Sequence, residues 1–294
     1  MKTYFLLFAC LLINLAALAQ KNLVSEPAKA QFVTSDIANF WKAFDAPKQS
    51  KKAYQAYIDQ GSPGLKDFIP YRIESAKNLR KMVENRRADY AAIRDNSYQV
   101  ATQVEQMRKA YQKLKTLYPK AVFPPAYFVI GAFNSGGTAS ENGIIMGVEM
   151  QTDINNLPYI VAHEMIHFNQ NYPEGNYSLL NQSIMEGAAD FIGEIISGKQ
   201  INQAALEYGE AHEAALCQEF VEIMNGDKYN GWLYGSNGKK AGRPNDLGYW
   251  MGYKICKAYA AKKDDQKQVV HDVLNIQDFS KFLEESGYLA AYMD

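Results

Sequence analysis

Cysteine is scarce in this 294-residue chain: there are three, and only Cys217 and Cys256 lie beyond the first apolar run. A framework of several disulfides, the support of many small exported domains, is therefore excluded. The remaining pair could bridge in an oxidising compartment or stand as two buried thiols, and spacing alone does not choose. Charge of one sign is also lacking, with 31 basic against 32 acidic residues. Without a basic excess, neither nucleic acid nor an anionic membrane surface is expected as a partner. Internal repeats and low-complexity tracts are absent, and no apolar run after the N-terminus is long enough to span a bilayer. Stable membrane insertion is thus not expected.

The N-terminus reads MKTYFLLFACLLINLAALAQ. Lys2 precedes an apolar run from Tyr4 to Leu15, and Ala17-Leu18-Ala19 is a small-residue cleavage pattern. Residues 1–19 are expected to be a signal peptide cleaved after Ala19, which places the protein in the periplasm or outside the cell. Cleavage leaves 294 − 19 = 275 residues, with 31 − 1 = 30 basic and 32 acidic, a net charge of −2. That length suits one large domain or two small ones.

Periodicity predicts a helical region over 20–118. Ser35 is placed to cap a helix, Gly61-Ser62-Pro63-Gly64 is a break, and Val100, Val104, Met107, Tyr111, Leu114 and Tyr118 recur at helical steps. A helical hairpin packing its apolar face on the rest is expected. The second region, 119–294, opens with two candidate strands, Tyr127–Phe133 and Gly143–Met150, turned by Asn142-Gly143. Helices follow: one over VAHEMIHF, one capped by Ser178 and closed by Gly198, one over QAALEYGEAHEAALCQEFVEIMNG, and others nearer the C-terminus. The predicted class is α+β, mostly helical, with a small mixed sheet ahead of the helix that carries His163.

Histidine is nearly as rare as cysteine, yet two of the four stand at His163 and His167. At ~100° per residue, positions i and i+4 lie within ~40° around a helix axis and ~6 Å along it. Both imidazoles can then reach one ion. Glu164 is turned aside, beside that ion without ligating it. H-E-x-x-H on a helix supplies two neutral nitrogens for zinc and a carboxylate to take a proton from water. A surface helix with two solvated histidines would show the same letters. The flanks Ile160, Val161, Ile166 and Phe168 instead predict a buried helix, where imidazoles need partners.

A third ligand is required. The stretch FNQNYPEGNY has no further histidine, so the metzincin pattern is not met. Glu186 follows His167 after 18 residues, and Asp190 stands four further on, on the same helical face. Glu186 can ligate, while Asp190 can accept from a ligand histidine. Alone, this pair would read as a solvated helix edge. Small residues at 187–189 suggest a close approach to the histidine helix. His212 and His271 sit in polar contexts and read as surface residues.

With His163, Glu164, His167, Glu186, Gly187 and Asp190 in this order, the chain resembles the gluzincin metallopeptidases, with the spacing of the aminopeptidase N group. It is similar also to small exported bacterial zinc peptidases that share this helix pair. The resemblance covers about Tyr127 to Tyr259. It implies a zincin fold over 119–294, a Zn2+ cofactor and a peptide or protein substrate. It also implies a phenol that stabilises the oxyanion: Tyr249, followed by Gly252, stands 63 residues after Glu186, and Tyr253 is one turn beyond. Two core tyrosines would read the same way. Glu141-Asn142 stands near the position where that group reads a substrate amine, but the accompanying Gly and Met are missing, and a polar turn is the simpler reading.

These residues predict an exported zinc-dependent peptidase. Glu164 is the base for a zinc-activated water, and Tyr249 and Tyr253 are the candidate oxyanion donors. A non-catalytic zincin-like binding protein would not need Glu164. A zinc hydrolase of a non-peptide amide would keep every feature.

Overall fold

A computed structural model of the chain describes residues 22–47, 50–175, 177–229, 231–235 and 242–293. The expected signal peptide, residues 1–19, lies outside them. Helix dominates and one four-stranded sheet is present, so the chain is α+β. The strands are β1 (Phe32–Val33), β2 (Ala126–Val129), β3 (Thr138–Ser140) and β4 (Gly143–Gly147), in the order β1-β2-β4-β3. Strand β2 runs parallel to both β1 and β4, while β3 is antiparallel to β4.

The pairing corrects the expected hairpin. The two apolar segments are parallel neighbours, Ala126 opposite Ile144 and Val129 opposite Gly147. The antiparallel turn belongs instead to β3, which meets β4 through Glu141-Asn142, with Ser140 opposite Gly143. Every residue of β2 and β4 is buried, as in strands covered on both faces. Such strands carry no alternation from which direction could be read, and β1 and β3 are too short to register as periodic segments.

The chain forms two compact units. One holds the described residues up to Lys109 together with Val122–Glu164; the other holds Ala110–Ala121 and the residues from Met165 onward. In the first, the expected hairpin is a series of helices: α1 (Ser35–Asp45), α2 (Lys51–Asp59), α3 (Pro63–Phe68), α4 (Ala76–Asn85), α5 (Arg87–Ala92) and the start of α6 (Arg94–Leu117). Ser35, the expected cap, is instead the first residue of α1, and Thr34 holds the cap position. Ser62 accepts from Leu65 N at 3.1 Å and Pro63 fills the first turn, so the predicted break is also a helix start. Gly64 lets α3 lie directly on β2, because a Cβ there would stand 2.3 Å from Tyr127 Cγ. Two buried phenols donate to the carbonyls after β2: Tyr57 to Ile130 at 2.9 Å and Tyr90 to Gly131 at 2.7 Å.

Helix α7 (Leu157–His167) carries the chain from the first unit into the second. There follow α8 (Leu179–Ser197), α9 (Gln203–Ala211), α10 (Glu213–Ile223), α11 (Leu247–Ala260), α12 (Gln266–Leu274) and α13 (Phe279–Ser286). Ser178 caps α8 by accepting from Asn181 N, and Gly198 ends it at φ 93°. The single helix expected over 203–226 is broken at His212, whose ring stacks on Tyr208 at 4.0 Å. His212 and His271 are exposed, as predicted. Gly187 serves α11 rather than α7: a Cβ there would stand 2.1 Å from Tyr253 N, and one on Gly252 would stand 1.7 Å from Ser183 O. Helices α8 and α11 therefore cross backbone to backbone. Cys217 and Cys256 are both buried and free.

Candidate metal centre

Helix α7 reads LPYIVAHEMIH and is mostly apolar, the composition of a core helix, with His163, Glu164 and His167 as its ionisable residues apart from Tyr159. Val161, Ala162, Met165 and Ile166 have no exposure, and His163 and Glu164 are 1% exposed. The predicted burial is thus met for His163 and Glu164, while His167 is only partly buried. Helical spacing alone puts both imidazoles on one side of the axis. Glu186, also 1% exposed, comes from α8. One donor atom from each of His163, His167 and Glu186 lies within 4.8 Å of the others.

The hydrogen-bond direction at His167 decides what this cluster wants. Its Nδ1 is 2.9 Å from Gln170 Oε1, while Gln170 Nε2 donates to Met185 O at 2.7 Å. With its amide nitrogen so engaged, Gln170 offers His167 only an acceptor, and Nδ1 must carry the proton. The lone pair of Nε2 then points at Glu186 Oε2, 3.3 Å away. A neutral imidazole and a carboxylate at that distance repel, and either a proton on Nε2 or a metal cation between them removes the repulsion. Two imidazole nitrogens and one carboxylate oxygen are the donor set of a catalytic zinc site with its fourth position open. The residues therefore fit the metal. Gln170 is the partner that sets the tautomer of His167. Its place three residues after His167 was the one signal for it.

The remaining predicted residues are placed as follows. Glu164 is closed in by the backbone just ahead of β3, since a Cβ on Gly137 would stand 3.3 Å from Glu164 Oε1. Asp190 is one turn beyond Glu186, 3% exposed, and its Oδ2 accepts from Asn202 Nδ2 at 2.6 Å. Tyr249, 3% exposed, is in the first turn of α11. Tyr253 donates to Glu194 Oε2 at 2.6 Å, and burial and that carboxylate raise its pKa well above the ordinary value. Glu141-Asn142 forms the β3–β4 turn, with Asn142 Nδ2 donating to Asp67 Oδ2 at 2.8 Å. One further residue comes from the loop before α11: Tyr234, whose hydroxyl is 3.0 Å from Glu186 Oε1. Asp246, in the same loop, has its pKa pushed up to about 6 by burial, with Glu186 and Asp190 adding to the rise.

A family model described as "Predicted Zn-dependent protease (DUF2268)" matches residues 104–278, more than half of the chain. The chain belongs to this family. Its matched span contains His163, His167 and Glu186 together with Gln170, Asp190, Tyr234, Tyr249 and Tyr253. Searches of the curated proteins and of solved structures found no match. Among the described residues, no helix is long and apolar enough to cross a membrane.

Proposed function

We propose that this protein is an exported zinc-dependent peptidase of gluzincin type, with its catalytic machinery within 119–294. The observation that carries the reading is the converging donor set of His163, His167 and Glu186, with a lone pair of His167 turned on Glu186 and Glu164 buried on the same helix. A zinc ion held by these three residues supplies a Lewis acid, which polarises a carbonyl and acidifies water. Gln170 holds His167 in the ligating tautomer. Asp190 stands one turn from Glu186 as a second anionic partner for the ligand shell.

Glu164 takes the proton of the attacking water and later passes it to the leaving amine. Its burial removes competing solvent. Tyr249 donates to the oxyanion that develops on the peptide carbonyl. Tyr253, committed to Glu194, anchors that end of α11.

The reading is tested on mature protein with a peptide-library digest, with and without a chelator, beside metal analysis. About one zinc per chain is expected, with cleavage lost on chelation. Glu164→Gln is expected to keep the metal and the fold and lose hydrolysis. Near wild-type turnover in that variant would remove Glu164 as the base, and metal binding without any cleavage would favour a binding protein. N-terminal sequencing of secreted material beginning at Gln20 would support export.

A further inference from the structure

The hydroxyl of Tyr234 stands between two buried side chains of α8. It is 3.0 Å from Glu186 Oε1 and 3.0 Å from Gln182 Oε1. Gln182 and Glu186 are four residues apart on one face and are 3% and 1% exposed. A phenol carries one proton and can donate to only one of them. The carboxylate is the stronger acceptor, because a charge-assisted bond is roughly twice as strong as a neutral one. With the phenol donating to Glu186 Oε1, a Gln182 amide rotated to exchange its O and N would donate an N–H to the phenol oxygen. The result is a relay, Gln182 to Tyr234 to Glu186. It occupies one carboxylate oxygen and leaves Oε2, the atom 3.3 Å from His167 Nε2, for the ligand cluster.

The loop is built to deliver this phenol. Tyr234 has φ 59°, a left-handed conformation that a bulky residue rarely adopts, and its neighbours Gly231 and Gly235 are left-handed at 74° and 58°. Such a conformation persists only where the surroundings over-determine it. Here Trp232 and Leu233 have no exposure. Arg243 Nη1 donates to both carboxylate oxygens of Glu219, at 2.8 and 2.9 Å, with its guanidinium 4.7 Å over the Trp232 ring. Trp232 Nε1 donates to Glu219 Oε1 at 3.1 Å, and Gly248 N to Trp232 O at 2.8 Å. On the other side of Tyr234, Gly235 N donates to Asp246 Oδ1 at 3.3 Å. Contacts on both sides thus hold the strained backbone that aims one hydroxyl at one carboxylate oxygen.

We propose that Tyr234 is a positioning residue for Glu186: it binds Oε1, backed by Gln182, so that Oε2 alone is presented to the metal. This rests on the zinc reading above. Removing an outer partner of a metal ligand typically weakens binding ~10–100-fold. The test is the zinc dissociation constant of mature protein, read by competition with a chromogenic chelator, together with the melting temperature of the metal-free form.

Tyr234→Phe is expected to bind zinc ~10–100-fold more weakly with little change in the metal-free melting temperature, and Glu186→Gln to lose zinc. A merely structural tyrosine would lower that melting temperature and leave the zinc constant alone. Wild-type zinc affinity in Tyr234→Phe, with zinc lost in Glu186→Gln, overturns the proposal while the metal reading stands. Wild-type protein that binds zinc no better than His163→Ala overturns both. Should Tyr234→Phe fail to fold, Gln182→Met removes the backing amide at similar volume. It is expected to weaken zinc several-fold, and unchanged affinity there overturns the relay.

Discussion

Tyr253 donates a hydrogen bond to Glu194 at 2.6 Å, whereas Tyr249, one turn earlier in α11 and 3% exposed, is the phenol proposed for the oxyanion. The two therefore separate in kinetics. A donor used only in the transition state affects turnover and leaves ground-state binding alone. Tyr249→Phe is expected to lower kcat by about a hundredfold or more, with KM and zinc content unchanged. Tyr253→Phe is expected to keep kcat and lose stability, by ~1–3 kcal/mol for a bond to a charged acceptor. Steady-state kinetics and urea unfolding of both variants check this. The opposite pattern would move the oxyanion role to Tyr253.

At the scale of elements, the α8–α11 crossing depends on glycine. A methyl at Gly252 would stand 1.7 Å from Ser183 O, a backbone atom that cannot yield without moving the helix. Gly252→Ala is therefore expected to destabilise by about 3 kcal/mol or more, seen as a lowered melting temperature by circular dichroism. The segment after β2 is held differently. Phe133 N donates to Glu149 Oε1 at 3.3 Å, and the fully buried Glu149 carboxyl is pushed from an ordinary 4.5 up to about 7. Burial is the main cause; N–H groups of Gly131 and Phe133 and the Arg86 charge oppose it. The folded state thus keeps a proton that the unfolded chain has already lost, so this group's contribution to stability is fully present below pH 4.5 and falls as pH rises toward 7. The rise of 7 − 4.5 = 2.5 corresponds to on the order of 3 kcal/mol across that window. Urea midpoints between pH 4.5 and 7 should show this slope, and Glu149→Gln should flatten it.

For the whole molecule, Cys217 and Cys256 are free and buried, and burial raises both thiol pKa values. No disulfide supports the fold among the described residues. Reductant should leave the melting temperature unchanged. A thiol reagent should label Cys217 and Cys256 only in denaturant. Rapid labelling in native buffer would contradict the burial. Removing zinc should lower the melting temperature, because a ligand that binds only the folded state stabilises it.

The residues proposed to hold the metal could be picked out because their geometry is local. His163 and His167 are brought together by helical pitch whatever surrounds them, and Ser178, Gly198 and the apolar flanks of α7 act within a turn or two. The helix-rich α+β class follows from the same short-range periodicities. Strand direction does not, since β2 and β4 are apolar on every residue and pair identically in either sense until the path between them is known. Gly187 showed that some helix needs close approach, but not that the helix is α11. The tautomer of His167 waits on Gln170, whose amide is oriented by a carbonyl 15 residues away. Tyr234 reaches Glu186 from 48 residues downstream through a loop whose left-handed turns only the packed Trp232, Leu233 and Arg243 enforce. The amino-acid sequence determined which donors exist and which pairs share a helix face. Tertiary packing decided which oxygen of Glu186 faces His167, because that choice depends on bonds from separate segments converging on one carboxylate.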